Sequence, residues 1–240
     1  MSHDSAGIPF TGRQLSGTGF DDDTGAADPA VLDALGRGAD ERALMAALAA
    51  ARLIVPIVAA PTEVDDSGDL AVEKSTDMAV VTLTAPDGQR ALPVFSSVAA
   101  LAAWDASARP SPVTSALAAQ AAVQERCDVM VLDLGSGSPT VLRPSMLWAL
   151  AQQREWLPAH EDPFIAQALA RATAGEPDVL DVATEAGEPG TGTLRVVLSL
   201  RQGLAQQQVQ QVATRIGERI ATDGEARARI DALAFAIRQA

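Results

Sequence analysis

Val129-Met130-Val131-Leu132-Asp133-Leu134-Gly135-Ser136-Gly137-Ser138-Pro139-Thr140-Val141-Leu142 decides the fold. Val129 to Leu134 predicts a strand, and Gly135 to Ser138 a turn. The element after the turn separates two architectures. A helix there would make this the glycine-rich strand-to-helix turn of a doubly wound α/β protein, where backbone comes close to a cofactor. A second strand would make it a β-hairpin. The residues favour the hairpin: Pro139 stands at the third glycine position, and Thr140-Val141-Leu142 is a short apolar run. No alternating series of strands and helices flows from it. The expectation is an α+β protein.

Working outward, Met78 to Thr84 predicts a strand. Pro86-Asp87-Gly88 is a turn, because Pro presets φ and Gly accepts a positive one. Gln89 to Phe95 then returns as the second arm of a hairpin. Ser97 caps a helix carrying Leu101 and Trp104, and another helix spans Ser115 to Arg126. Upstream, Asp40 is an N-cap for a helix from Glu41 to about Arg52, with Leu44 and Leu48 on one face. Leu53 to Val58 reads as a buried strand. Pro56 lacks a donor, which places that strand at an edge or gives it a bulge. Downstream, Pro144 opens a helix at its first position, and Trp156-Leu157-Pro158 closes the unit. Asp162-Pro163 starts a helix ending near Gly175. Leu194, Val196, Leu198 and Leu200 alternate as in a strand. Val209, Val212, Ala213, Ile216 and Ile220 mark an amphipathic helix. Ile230, Leu233, Ala234 and Ile237 suggest a last helix by the same spacing logic.

The chain divides into three segments. Residues 1–39, rich in Gly and Asp, form an arm that reads as disordered on composition alone, with Ile8-Pro9-Phe10 and Leu15 as apolar exceptions and one helical turn at Val31, Leu32 and Leu35 after Pro29. Residues 40–158 form a mixed or antiparallel sheet with flanking helices. Residues 159–240 form a smaller α+β unit.

The chain of 240 residues is 48 % apolar, enough for a real core, yet holds five Phe, three Trp and no Tyr. Its formal net charge is −13, and Lys74 is the only lysine among 18 basic residues. Nucleic-acid affinity rests largely on Lys and Arg against phosphates, and anionic membranes ask for the same. Both partners are disfavoured. Met1 to Phe10 lacks the basic-then-apolar pattern of a signal segment. Ala43 to Ala60 approaches the length of a membrane span, but it is alanine-rich and broken by Arg52 and Pro56. The expected compartment is the cytoplasm.

Candidate chemistry is sparse. Val131 to Ser138 is similar to the first motif of S-adenosylmethionine-dependent methyltransferases, but lacks the helix of that motif. Cys127, the only cysteine, sits beside Asp128, whereas a reactive thiolate wants an electropositive site; it reads as a packing residue. His3 lies in the arm. His160 stands in a linker with Glu161 and Asp162, short of the ligand count of a zinc site. Glu63, Asp65, Asp66 and Asp69 suggest calcium, and Gly68 falls at the sixth position of such a loop. Its twelfth position, however, is Lys74, so a solvated acidic loop over residues 61–76 is the better reading. No nucleophile elbow or phosphate-loop lysine motif occurs. No catalytic, cofactor-binding or metal-binding residue is assigned, and no cofactor is expected.

The distributed pattern resembles the SseB family, the "enhanced serine sensitivity" proteins, in its actinobacterial form. The resemblance is carried by Ile8-Pro9-Phe10-Thr11-Gly12-Arg13-Gln14-Leu15, by Asp28-Pro29-Ala30-Val31-Leu32 and by Leu53-Ile54-Val55-Pro56-Ile57. Its most telling part is Asp87-Gly88-Gln89-Arg90-Ala91-Leu92-Pro93-Val94-Phe95-Ser96-Ser97, with Trp104 beyond it. Arg109-Pro110, Val129 to Leu134 and Trp156-x-Pro158 continue the register. It implies a partly ordered arm over residues 1–39, an SseB N-terminal-like domain, a C-terminal-like domain of one strand and two helices, and a link to serine tolerance, without naming a reaction. The expectation is a non-enzymatic interaction or regulatory module with a protein partner. The place to look for it is the Met78 to Phe95 hairpin and its loop, where Asp65, Asp66 and Asp69 would favour a basic surface. The alternative is an amino-acid sensor or an unrecognised enzyme.

Overall fold

The computed structural model describes residue 20 and residues 22–38, 40–59 and 78–239. The Ile8 to Leu15 segment, His3 and the acidic loop with Glu63, Asp65, Asp66, Asp69 and Lys74 lie outside the described residues.

The first part of the chain runs α1 (Pro29–Gly36), α2 (Glu41–Ala50), β1 (Arg52–Ala59), β2 (Met78–Val80), β3 (Leu83–Thr84), β4 (Arg90–Val94) and α3 (Val98–Trp104). It continues through β5 (Arg109–Thr114), α4 (Ser115–Gln124), β6 (Val129–Leu132), β7 (Thr140–Leu142) and α5 (Pro144–Ala151). The deciding stretch is a hairpin: β6 pairs antiparallel with β7, Leu132 facing Thr140 and Met130 facing Leu142. Gly135 makes the turn possible. Its φ is +93°, and a Cβ on it would stand 3.3 Å from the Trp104 Cβ.

The sheet order is β3-β4-β6-β7. β4 and β6 run parallel, as the crossover through α3, β5 and α4 requires, while the two outer pairs are antiparallel. A second sheet, β2-β1-β5, joins the first where Ile54 and Phe95 exchange backbone hydrogen bonds of 2.8 and 2.9 Å. The architecture is the expected mixed sheet with flanking helices. Leu53, Leu92, Val94, Met130, Leu132 and Leu142 form its core with Leu48 from α2 and alanines of α4, all buried. Val31 and Ala34 of α1 belong to the same core. Asp40, Ser97 and Thr114 cap their helices through side-chain oxygens.

The structure corrects the edge placement of Pro56: β1 is the central strand of its sheet. Ile54 turns its backbone to Phe95, and the Pro56 carbonyl accepts from Val81 N–H at 3.2 Å. Both residues therefore point away from β5, where their opposite numbers are Pro112 and Pro110. The three prolines sit where no ladder bond between β1 and β5 is needed. The same Val81 contact divides the expected strand Met78 to Thr84, so that β2 pairs with β1 and β3 with β4. β5 was not foreseen, because two prolines in six residues argue against a strand.

The rest of the chain runs α6 (Pro163–Thr173), β8 (Val179–Ala186), β9 (Thr193–Leu200), α7 (Gln206–Thr222), α8 (Gly224–Arg229) and β10 (Ala232–Gln239). The expected last helix is a strand: β10 lies parallel to β9, with Leu233 facing Leu194 and Phe235 facing Val196. Ala232-Leu233-Ala234-Phe235-Ala236-Ile237 alternates small and large with period two. The spacing of Ile230, Leu233, Ala234 and Ile237 passed over Phe235, which packs against the core with Leu233. β8 was also unforeseen. It is a terminal strand whose acids and 59 % exposed Leu180 obscure alternation. Three strands and three helices thus stand where the residue pattern predicts one strand and three helices: the last expected helix is β10, and β8 and α8 are additional. Ile165 and Leu169 of α6, Val196 and Leu198 of β9, and Val212 and Ile216 of α7 form this second core.

Ala43 to Ala59 is divided between α2 and β1, and Ala60 lies outside the described residues. Among the described residues no helix is long and apolar enough to cross a membrane.

Candidate functional site

A cleft of about 1130 Å³ opens between the two parts of the chain. One wall is α2 with its cap (Asp40, Glu41, Arg42, Leu44), a second the β6–β7 turn (Asp133 and Ser136 to Thr140), and a third the β8–β9 turn from Ala186 to Thr193. Trp156, Pro158 and His160 of the connecting segment also line it. Its volume is somewhat larger than that of the usual small-molecule site.

Arg143 fastens this cleft. It stands between β7 and α5, one residue before Pro144. Its Nη1 and Nη2 donate to both Glu41 carboxylate oxygens at 2.5 and 2.8 Å, and its Nε donates to Asp231 Oδ2 at 2.8 Å. Nη1 also reaches the Gly190 carbonyl at 3.3 Å. The Arg143 side chain is 11 % exposed and that of Asp231 7 %. The hydrogen bonds to Glu41, then those to Asp231, lift the guanidinium above its already high ordinary pKa. Asp231 accepts further bonds from Ser145 N–H at 2.8 Å and Ser145 Oγ at 2.9 Å, and Trp156 Nε1 donates to the same Oγ at 3.0 Å. Geometry this complete is what makes a buried ion pair tolerable.

A second fastener lies alongside. Arg229, at the end of α8, is held between the rings of Trp148 and Phe164, 5.0 and 4.7 Å from their centroids. It donates to Asp162 at 2.7 Å and Glu225 at 2.6 Å. Stacking of a guanidinium on aromatic faces combines apolar burial with electrostatic attraction.

Gly135 to Ser138 form a strand-to-strand turn on the cleft wall. The neighbouring Asp133, at φ +54°, accepts from Ser96 N–H and Oγ, both at 2.8 Å. Cys127 is buried, and burial pushes its thiol pKa up. His160 Nε2 lies 3.5 Å from Glu161. Asp162 is turned away to cap Phe164 N–H at 2.8 Å and pair with Arg229. Among the described residues no three His, Cys, Asp or Glu side chains are grouped to hold a metal ion. None of the described residues of the Met78 to Phe95 hairpin lines the cleft.

Sequence reasoning missed Glu41, Arg143 and Asp231. Glu41 lies 102 positions before Arg143 and Asp231 88 after it, and ordinary Arg and acidic residues at such separations form no motif. The one local signal was Gly190-Thr191-Gly192. Both glycines take positive φ, and a Cβ on Gly192 would fall 2.4 Å from Arg143 Nε.

A family model described as the SseB protein N-terminal domain matches residues 29–149, from α1 into α5. No curated protein and no solved structure matches the chain.

Proposed function

This chain belongs to the SseB family, and from that premise we propose that it acts by binding and not by catalysis, as an interaction module whose cleft receives a basic stretch of a protein partner. The pairing pattern inside the cleft supports this. Six carboxylates line it against three guanidinium groups. Arg143 and Arg229 are already committed to internal partners. The side chains of Asp40, Asp133 and Glu188 have no ion-pair partner among the described residues. The cleft field is therefore negative, and carboxylates gathered in a concave surface focus it. Leu35, Leu44 and Leu132 add apolar lining for the aliphatic stems of Arg and Lys.

The test is direct binding of arginine-rich and glutamate-rich peptides to the full chain at low and physiological salt. Salt-sensitive binding of the arginine-rich peptide alone supports the module. Equal binding of both, or of neither, removes it.

An amino-acid sensor is the second reading. Arg42, 57 % exposed, stands in the same cleft as Asp40 and Glu161, so both ends of a zwitterion find an opposite charge. Serine, to which the family's name points, is the first ligand to try. Binding to the native state raises the melting temperature; an unchanged Tm at saturating serine and related amino acids removes this reading.

A further inference from the structure

We propose that the partner segment docks in extended form, adding a strand to the free edge of β7; this rests on the cleft reading above and supplies its binding mode. β7 is the terminal strand of its sheet. Asp133 N–H donates to the Val94 carbonyl, so the preceding Leu132 carbonyl points the other way, towards Thr140. By strand alternation Thr140 and Leu142 bond inward to β6. The N–H and C=O of Val141 are then left along the outer edge.

That edge is chemically open where those of β5, β8 and β10 are blocked. Thr140-Val141-Leu142 carries no charge and no proline, and Val141 is 48 % exposed. On the terminal strand β5, Pro110 and Pro112 lie opposite residues that point away from it, so their donorless nitrogens face its free edge. β8 has a register irregularity between Val179 and Asp181 and carries two acids, Asp181 and Glu185. β10 carries Arg238, paired with Glu185 at 2.8 Å. Prolines, irregularities and charges are the devices that keep edges from pairing, and β7 has none.

The surroundings select the occupant. Pro139 and Thr140, and beyond them Arg143, line the acidic cleft, with Asp133 and Glu188 on its walls. A strand laid along Val141 gains main-chain hydrogen bonds from the edge, while alternate side chains reach the cleft. Basic residues at those positions match its charge. A second copy of this chain, with its net charge of −13, would meet like charge.

The probe is a nine-residue peptide of alternating arginine and valine, with two N-methylated counterparts, one blocked at every arginine amide and one at every valine amide. An added strand bonds through one set of alternate amides only. The expected result is that one counterpart loses about tenfold or more in affinity for the full chain while the other loses much less. Val141→Pro, which removes the outward donor where a strand edge tolerates proline, should weaken the unmodified peptide similarly. Equal affinity of all three peptides overturns the strand mode and leaves the cleft reading standing. Failure of even the unmodified peptide to bind removes both. Dimers of the free protein that Val141→Pro dissolves would give the edge to a second copy and overturn the proposal. Should Val141→Pro fail to fold, the methylated pair decides alone.

Discussion

Gly192 lies so close to Arg143 that a Cβ on it would stand 2.4 Å from the guanidinium Nε, and equally near Asp231 Oδ2. Its φ of +68° already favours glycine. Close approach and left-handed backbone together hold the β8–β9 turn against the first part of the chain. Gly192→Ala should cost at least about 2 kcal/mol, from backbone strain and displacement of the pair. Gly203→Ala, also at positive φ but with open space around it, should cost less. Denaturant midpoints of the two variants check this.

Arg143 neutralises two carboxylates at once, so truncating it harms more than its own contacts. Arg143→Met leaves Asp231 buried without a cation. The expected loss is about 3–5 kcal/mol. Arg143→Lys should recover only part of it, because an ammonium cannot serve Glu41 through two parallel bonds and Asp231 through a third. A double-mutant cycle with Asp231→Asn should show strong coupling.

Glu176 carries an acid-side pH dependence. Its side chain is 4 % exposed and lies 2.7 Å from Arg215 and 2.9 Å from Arg219. The hydrogen bond from Arg215, outweighing burial, holds its carboxyl below the usual range. A carboxyl depressed in the folded state stabilises above its unfolded pKa of about 4.3 and loses that contribution as pH falls through the folded value. Glu176→Gln should therefore lower stability at neutral pH and make the acid limb of a Tm-against-pH curve shallower. Parallel curves for the two proteins would contradict the assignment.

The sequence made legible what is decided locally. Pro139 and Thr140 to Leu142 specify the hairpin, Asp40 and Ser97 their helix starts, and Leu194 to Leu200 a strand, because each is set by residues within a few positions. β5 escaped because its prolines are harmless only given the register that sets them opposite Ile54 and Pro56. β10 escaped because Ile230, Leu233, Ala234 and Ile237 fit a helical spacing as well as Leu233, Phe235 and Ile237 fit a strand, and only the free side of β9 resolves the two. The cleft was the least legible: Glu41, Arg143 and Asp231 meet only after the sheets have formed, and a paired arginine in sequence looks like any other.

The central claim is that the acidic cleft binds a basic segment. The most direct measurement is the affinity of the alternating arginine–valine peptide for the native protein and for a Glu161→Arg/Glu188→Arg variant, across a salt series. Both positions are on the cleft surface and outside the Arg143 and Arg229 fasteners, so the variant should keep its Tm. The account predicts affinity at least about tenfold weaker in the variant at low salt, with a shallower salt dependence. Identical affinities and identical salt dependence would contradict it.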